Sequence, residues 1–172
     1  MNVVFKVGGL LLAITVCGFA SAADYPKRKA GLWEISMDMP GHGKSPGDVR
    51  MCIDAETDAR MFEMGTSTMK ELCSRQEVTR NGNVMTSDSI CKMGESRMTS
   101  HAVTTFTGDY AYHIDSHTSF DPPMMGQKES VMAQDAKWTG ACPADMQPGD
   151  IAMPNGMKTN IKTMPGAHEK RS

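Results

Sequence analysis

The chain has 172 residues, with 18 basic and 20 acidic side chains and a formal net charge of −2. That near-balance excludes a chain built to displace counterions from nucleic acid, which needs clustered positive charge. It says nothing about whether a small-molecule partner would be acidic or basic.

The first element in chain order is a leader. Lys6 is the only charge in residues 1–22, and the apolar run Val7–Phe19 is thirteen residues long. A membrane-spanning helix needs about 20 apolar residues, so this run is too short to stay in a bilayer. Ala20-Ser21-Ala22 then gives the small-x-small pattern of a signal-peptidase site, with the cut between Ala22 and Ala23. A buried helix opening the mature fold does not fit, because Asp24-Tyr25-Pro26-Lys27-Arg28-Lys29 follows with no turn or partner helix. Lipidation of Cys17 does not fit either, since Val16 rather than a small residue precedes it. The reading is a protein secreted to the periplasm through a cleaved signal peptide, with no membrane span. Losing the leader takes the net charge to −3 and leaves 150 residues, enough for one domain with its own core. The expected division is residues 1–22 as signal peptide, 23–150 as a single disulfide-stapled β domain, and 151–172 as a Met/Pro/Gly-rich tail ending in disorder.

Strands come next. Trp33, Ile35, Met37 and Met39 alternate with polar residues in the segment Gly31–Met39, which is the period of a half-buried strand. Residues 40–47 form a Gly/Pro loop, and Asp48–Ile53 a second strand carrying Cys52. Asp54 has the character of an N-cap, opening a short helix over Ala55–Met64 that ends near Gly65. Cys73–Arg80 and Val84–Cys91 flank Asn81-Gly82-Asn83, a strong hairpin signal. A second hairpin joins Arg97–Thr107 to Tyr110–Phe120 across Gly108-Asp109. After a break at Pro122-Pro123, a further strand runs from Gln127 to Trp138. The expected fold is mainly β: an antiparallel, curved sheet or half-open barrel of about seven strands with one short helix.

Four cysteines, Cys52, Cys73, Cys91 and Cys142, remain after the leader, spaced by 21, 18 and 51 residues. Zinc sites favour close Cys pairs, and an oxidising compartment favours two disulfides. Were Asn81-Gly82-Asn83 a three-residue loop, Arg80 would face Val84 and Cys73 would face Cys91. That register favours Cys73–Cys91 with Cys52–Cys142. A two-residue Asn-Gly turn puts Cys73 and Cys91 one step apart, and the competing connectivity is Cys52–Cys73 with Cys91–Cys142.

Site chemistry is sparse. His113 and His117 lie four apart on a strand rising about 3.3 Å per residue, too far apart to chelate one metal as a pair. They read as a solvent-facing surface. Asp54, Glu56 and Asp58 resemble the start of a calcium loop, but Ala59 and Gly65 occupy the positions that need Gly and Glu. Gly94-Glu95-Ser96-Arg97-Met98 lacks the closing Gly of a nucleophile elbow. No catalytic residue and no cofactor follows from the sequence. Methionine is the anomaly: 17 in the chain, with Leu32 and Leu72 the only leucines after the leader. Met as adaptable core filler accounts for this. The sharper alternative is a thioether copper site from Met37, Met39 and His42.

Gly31-Leu32-Trp33-Glu34, Val49-Arg50-Met51-Cys52-Ile53, the Cys73–Cys91 pair, Gly108-Asp109-Tyr110 and Trp138-Thr139-Gly140-Ala141-Cys142 occur in a characteristic order. In these residues the chain resembles an uncharacterised exported family of Gram-negative bacteria, classed as a domain of unknown function. The resemblance runs from Gly31 to about Asp150. It implies a periplasmic β domain with a cysteine framework and carries over no activity, ligand or catalytic residue. The expected role is a non-enzymatic binding module for an apolar small molecule or an envelope protein partner. The alternatives are copper handling through the Met clusters, or a hydrolase.

Overall fold

The computed structural model describes residues 25–39, 43–44 and 47–164. The leader with its cleavage site, His42 and the chain end Ala167–Ser172 lie outside the described residues. Ten strands and one helix follow in chain order: β1 Gly31–Met39, β2 Gly43–Lys44, β3 Val49–Ile53, α1 Ala55–Leu72, β4 Cys73–Asn81, β5 Val84–Met93, β6 Ser96–Thr107, β7 Ala111–Met124, β8 Gln127–Gly140, β9 Asp150–Ala152 and β10 Lys158–Asn160. Nine of these run side by side as β10-β9-β3-β1-β8-β7-β6-β5-β4, and β2 pairs with the end of β1. Every pairing is antiparallel. The two outermost strands do not meet, so the sheet is open, not a closed barrel.

The alternation in β1 sets the inner face. Trp33 and Ile35 are buried and Met37 partly so, and they pack with Val49, Met51 and Ile53 of β3, Ala136 of β8, and Met61 of α1. Gly31 opens β1 at φ 132°, in the region that favours glycine. A Cβ there would run into the Gly140 carbonyl oxygen and the Trp138 indole nitrogen. That indole donates instead to the Ala30 carbonyl at 3.0 Å. The Gly31-Leu32-Trp33 opening and the Trp138-Thr139-Gly140 close are therefore two sides of one contact.

Asp54 caps α1 as its residue type suggests. Its carboxylate accepts from the Thr57 backbone N–H at 2.8 Å, and the Thr57 hydroxyl accepts from the Asp54 N–H at 2.9 Å. The helix does not end near Gly65 but runs to Leu72, eighteen residues in all. A helical Gly costs only about 1 kcal/mol relative to Ala, and no residue that forces a stop follows it. The last turn passes directly into β4, with the Cys73 N–H donating to the Met69 carbonyl.

Both hairpin registers differ by one from the sequence expectation. The first turn is Gly82-Asn83 with Gly82 at φ 61°, so Asn81 faces Val84 and Arg80 faces Met85. An irregularity between Cys73 and Arg75 shifts the ladder back and sets Cys73 opposite Cys91. The disulfides are Cys73–Cys91 and Cys52–Cys142. The second hairpin turns through three residues, Gly108, Asp109 and Tyr110, so Thr107 faces Ala111.

Two further boundaries move. Pro122 and Pro123 lie within β7, where the β7–β8 ladder is irregular between Ser119 and Met124 and no donor is needed from a proline. Residues 151–164 are no loose tail: β9 and β10 extend the sheet, and Ile161 is buried. Buried Asp150 holds this corner, accepting from the Gln147 N–H at 2.9 Å and Asn160 Nδ2 at 2.7 Å, and pairing with Lys158 at 3.1 Å. The Gln147 N–H above all holds its carboxyl below the usual range. These additions explain why the sheet exceeds the seven strands expected.

Candidate functional site

Past the packed cluster, the inner face changes. Met85 on β5, Thr104 and Phe106 on β6, and Tyr112 and Ile114 on β7 floor a cavity of about 820 Å³. Ala55, Asp58, Ala59, Met61 and Phe62 of α1 roof it, and residues 25–30 wall it. Tyr112 is the joint between core and cavity. Its ring stacks on Trp33 with centroids 5.9 Å apart and lies 6.2 Å from Phe106, and its hydroxyl accepts from Gln134 at 3.3 Å.

The segment before β1 is fastened down at several points. Arg28 Nε donates to Asp58 Oδ1 at 2.7 Å and the Arg28 backbone N–H to Asp58 Oδ2 at 3.1 Å, in a largely shielded ion pair. The Lys29 carbonyl accepts from the Trp33 indole at 2.8 Å, and the Lys29 N–H donates to the Asp109 carbonyl at 2.8 Å. Tyr25 leans on Phe62 with ring centroids 4.4 Å apart, and burial pushes its phenol above the usual pKa. Polar groups thus satisfy one another around the margin and leave the lining mainly apolar, the character of a small-molecule pocket.

A shallower depression of about 390 Å³ lies on the outer face, lined by Glu34, Asp48, His113, Asp135 and Lys137 among others. Its charges are largely paired: Lys137 with Glu34 at 3.5 Å, and His113 Nδ1 with Asp135 at 2.7 Å. The Asp135 hydrogen bond chiefly raises the His113 pKa. His113 and His117 do face solvent, yet each is engaged with carboxylates, which the strand pattern alone does not show.

Of the residues in the thioether alternative, Met37 and Met39 are described and His42 lies outside the described residues. Met37 packs against the core, while Met39 is exposed. Met51, Met85 and Met146 are buried. Among the described residues no group of three or more His, Cys, Asp or Glu side chains is placed to hold a metal ion. No described helix is long and apolar enough to cross a membrane.

The cavity-forming residues of the segment before β1, Tyr25 and Arg28, escape sequence reasoning because they sit in the charged stretch that follows the leader, which has no apolar period. Phe106 and Ile114 show only as alternating strand positions.

Fold and site together define an open antiparallel β domain, fastened by two disulfides, whose one described helix roofs an apolar cavity. Residues 28–142 match a family described as a protein of unknown function, DUF3617, and the chain belongs to that family. No curated protein and no solved structure matches it. The match begins at Arg28, the cavity's anchoring residue, and ends at Cys142, the last cysteine.

Proposed function

We propose that this domain is a non-enzymatic binding module that takes an apolar small molecule between α1, the 25–30 segment and the inner sheet face. The observation that carries this reading is the cavity of about 820 Å³, floored by Met85, Phe106, Tyr112 and Ile114 and roofed by Met61 and Phe62. Small-molecule pockets fall in the range of roughly 300 to 1,000 Å³ and are mostly apolar with few polar groups. Met85 and Met61 are flexible, polarizable side chains suited to ligands of varied shape.

The module acts after export to the periplasm, where both disulfides are maintained. Intact mass of the exported protein then starts at Ala23. Retention of residues 1–22 in the released protein contradicts the export part of the reading.

Titration with 1-anilinonaphthalene-8-sulfonate tests the cavity. One saturable site is expected, with blue-shifted emission. Ile114→Trp, which fills the floor from a half-buried position, removes that signal while the far-ultraviolet spectrum stays that of the parent. Dye binding unchanged in Ile114→Trp, or no saturable binding by the parent, contradicts the proposal.

A further inference from the structure

The outer face carries a row of four side chains across four strands, on the opposite side of the sheet from the cavity. Asp88 on β5 lies directly opposite His101 on β6, and His101 directly opposite His117 on β7. Val131 on β8 faces His117, and Glu129 is the next residue along that face of β8. Directly paired antiparallel residues have Cα atoms about 4.5 to 5.5 Å apart. The two imidazoles are therefore neighbours, although sixteen residues separate them in sequence. All four side chains are at least half exposed, at 50–68%.

Each imidazole is turned toward a carboxylate at its outer end. His101 Nδ1 lies 2.8 Å from Asp88 Oδ1, and His117 Nε2 lies 3.5 Å from Glu129 Oε2. An Nδ1–H donated to Asp88 leaves the lone pair of His101 on Nε2. On His117 the same arrangement leaves it on Nδ1. Histidines that ligate metals are held in this way, with the non-ligating N–H on a carboxylate that fixes the tautomer and raises basicity. His113 differs: Asp135 takes its Nδ1 and Asp115 its Nε2, at 2.7 and 3.2 Å, so neither nitrogen is available.

We propose that His101 and His117 form a cross-strand two-imidazole site for a borderline divalent transition metal such as zinc(II). His101 Nε2 and His117 Nδ1 are the ligands, solvent completes the coordination sphere, and Asp88 and Glu129 hold the rings. Imidazole suits zinc, copper and nickel in preference to calcium or magnesium. With only two protein ligands the site is open to a further ligand, unlike a closed structural zinc centre.

Calorimetric titration of untagged protein with zinc chloride tests this site independently of the cavity. One zinc per chain is expected. His101→Asn and His117→Asn each abolish binding, Asp88→Asn weakens it by about tenfold, and His113→Asn leaves it unchanged. No binding by the parent, binding that survives both His101→Asn and His117→Asn, or an equal loss in His113→Asn overturns the proposal. The exposure of all these side chains keeps the variants folded, which an unchanged melting temperature verifies.

Discussion

The two halves of the sheet use their inner faces differently. Across β9, β3, β1 and β8 the face is closed: Trp33, Ile35, Val49, Met51, Ile53 and Ala136 form one cluster, and Cys52–Cys142 fastens β3 to the chain beyond β8. Across β7, β6 and β5 the cavity lining gives way along the same face to small polar residues, before the facing pair Met98 and Phe120. Ser100 bonds Thr118 at 2.9 Å, Ser116 donates to the Met132 carbonyl at 3.4 Å, and Ser89 is buried. One half supplies stability, and the other leaves room for a ligand. The helix joins them, with Met61 against the core and Phe62 over the cavity.

The largest effect expected from this division is loss of the long disulfide. Cys52–Cys142 links residues 90 apart, and in the chain-entropy model such a bridge contributes about 4 to 5 kcal/mol. Replacing both cysteines with Ala lowers the urea unfolding free energy by that order. A loss under about 1 kcal/mol, well below the usual range for native disulfides, shows that the closed half does not depend on it.

Core truncation comes next. Trp33 is almost wholly buried, and Trp33→Ala costs about 3 to 5 kcal/mol. Phe62→Ala, at a site 41% exposed over the cavity, costs well under half of that because the ring is only partly removed from water. Equal costs in denaturant titrations erase the contrast between the halves.

These two predictions rest on features of unequal legibility. Alternation in β1 identified Trp33 and Ile35 as inward-facing, and Asp54 was visible as a cap from its residue type. Turn lengths were not: Gly82-Asn83 in place of a three-residue loop, and Gly108-Asp109-Tyr110 in place of a two-residue one, each move the register by one. That single step is why the His101–His117 pairing escapes a reading that compares His113 with His117 along one strand. The Cys73–Cys91 pairing follows for a different reason from the one expected, because the irregularity near Ser74 compensates the shorter turn. Strands β9 and β10 were hidden because three-residue segments carry no period, and polar Asp150 organises them. The cavity was illegible because chain segments far apart build it, Tyr25 and Arg28 on one side and Phe106 and Ile114 on the other.

A smaller effect is expected at the wall. The Arg28–Asp58 pair is shielded, with side-chain exposures of 18% and 15%. Arg28→Met leaves the Asp58 carboxylate short of a partner at a cost of about 1 to 3 kcal/mol. Hydrogen exchange at residues 25–30 should accelerate while β1 and β3 stay protected. Uniform acceleration across the sheet shows instead that the segment belongs to the core.

The smallest effect is a pH dependence with two opposite signs. His113 has its pKa raised, mainly by the Asp135 hydrogen bond, so folding favours its protonated form. Its contribution is complete below about pH 6.5 and is lost as pH rises through the raised folded value. Exposure and solvent screening keep that contribution small. Asp150 and Asp54 have lowered pKa values, through the N–H groups of Gln147 and Thr57 respectively. Their contributions are complete above about pH 4 and vanish as pH falls through the lowered values. Melting curves of the parent and His113→Asn should therefore converge on the alkaline side, and Asp150→Asn should flatten the acid limb. Curves that stay parallel from pH 5 to 8 would remove His113 from the account.

The apolar cavity is the centre of this account, and native mass spectrometry of protein purified from its native host without denaturation addresses it most directly. The expected spectrum shows an apolar adduct at one per chain, absent from folded Ile114→Trp. An adduct that persists in Ile114→Trp, or parent protein that is adduct-free and stays so after incubation with a long-chain fatty acid, contradicts it.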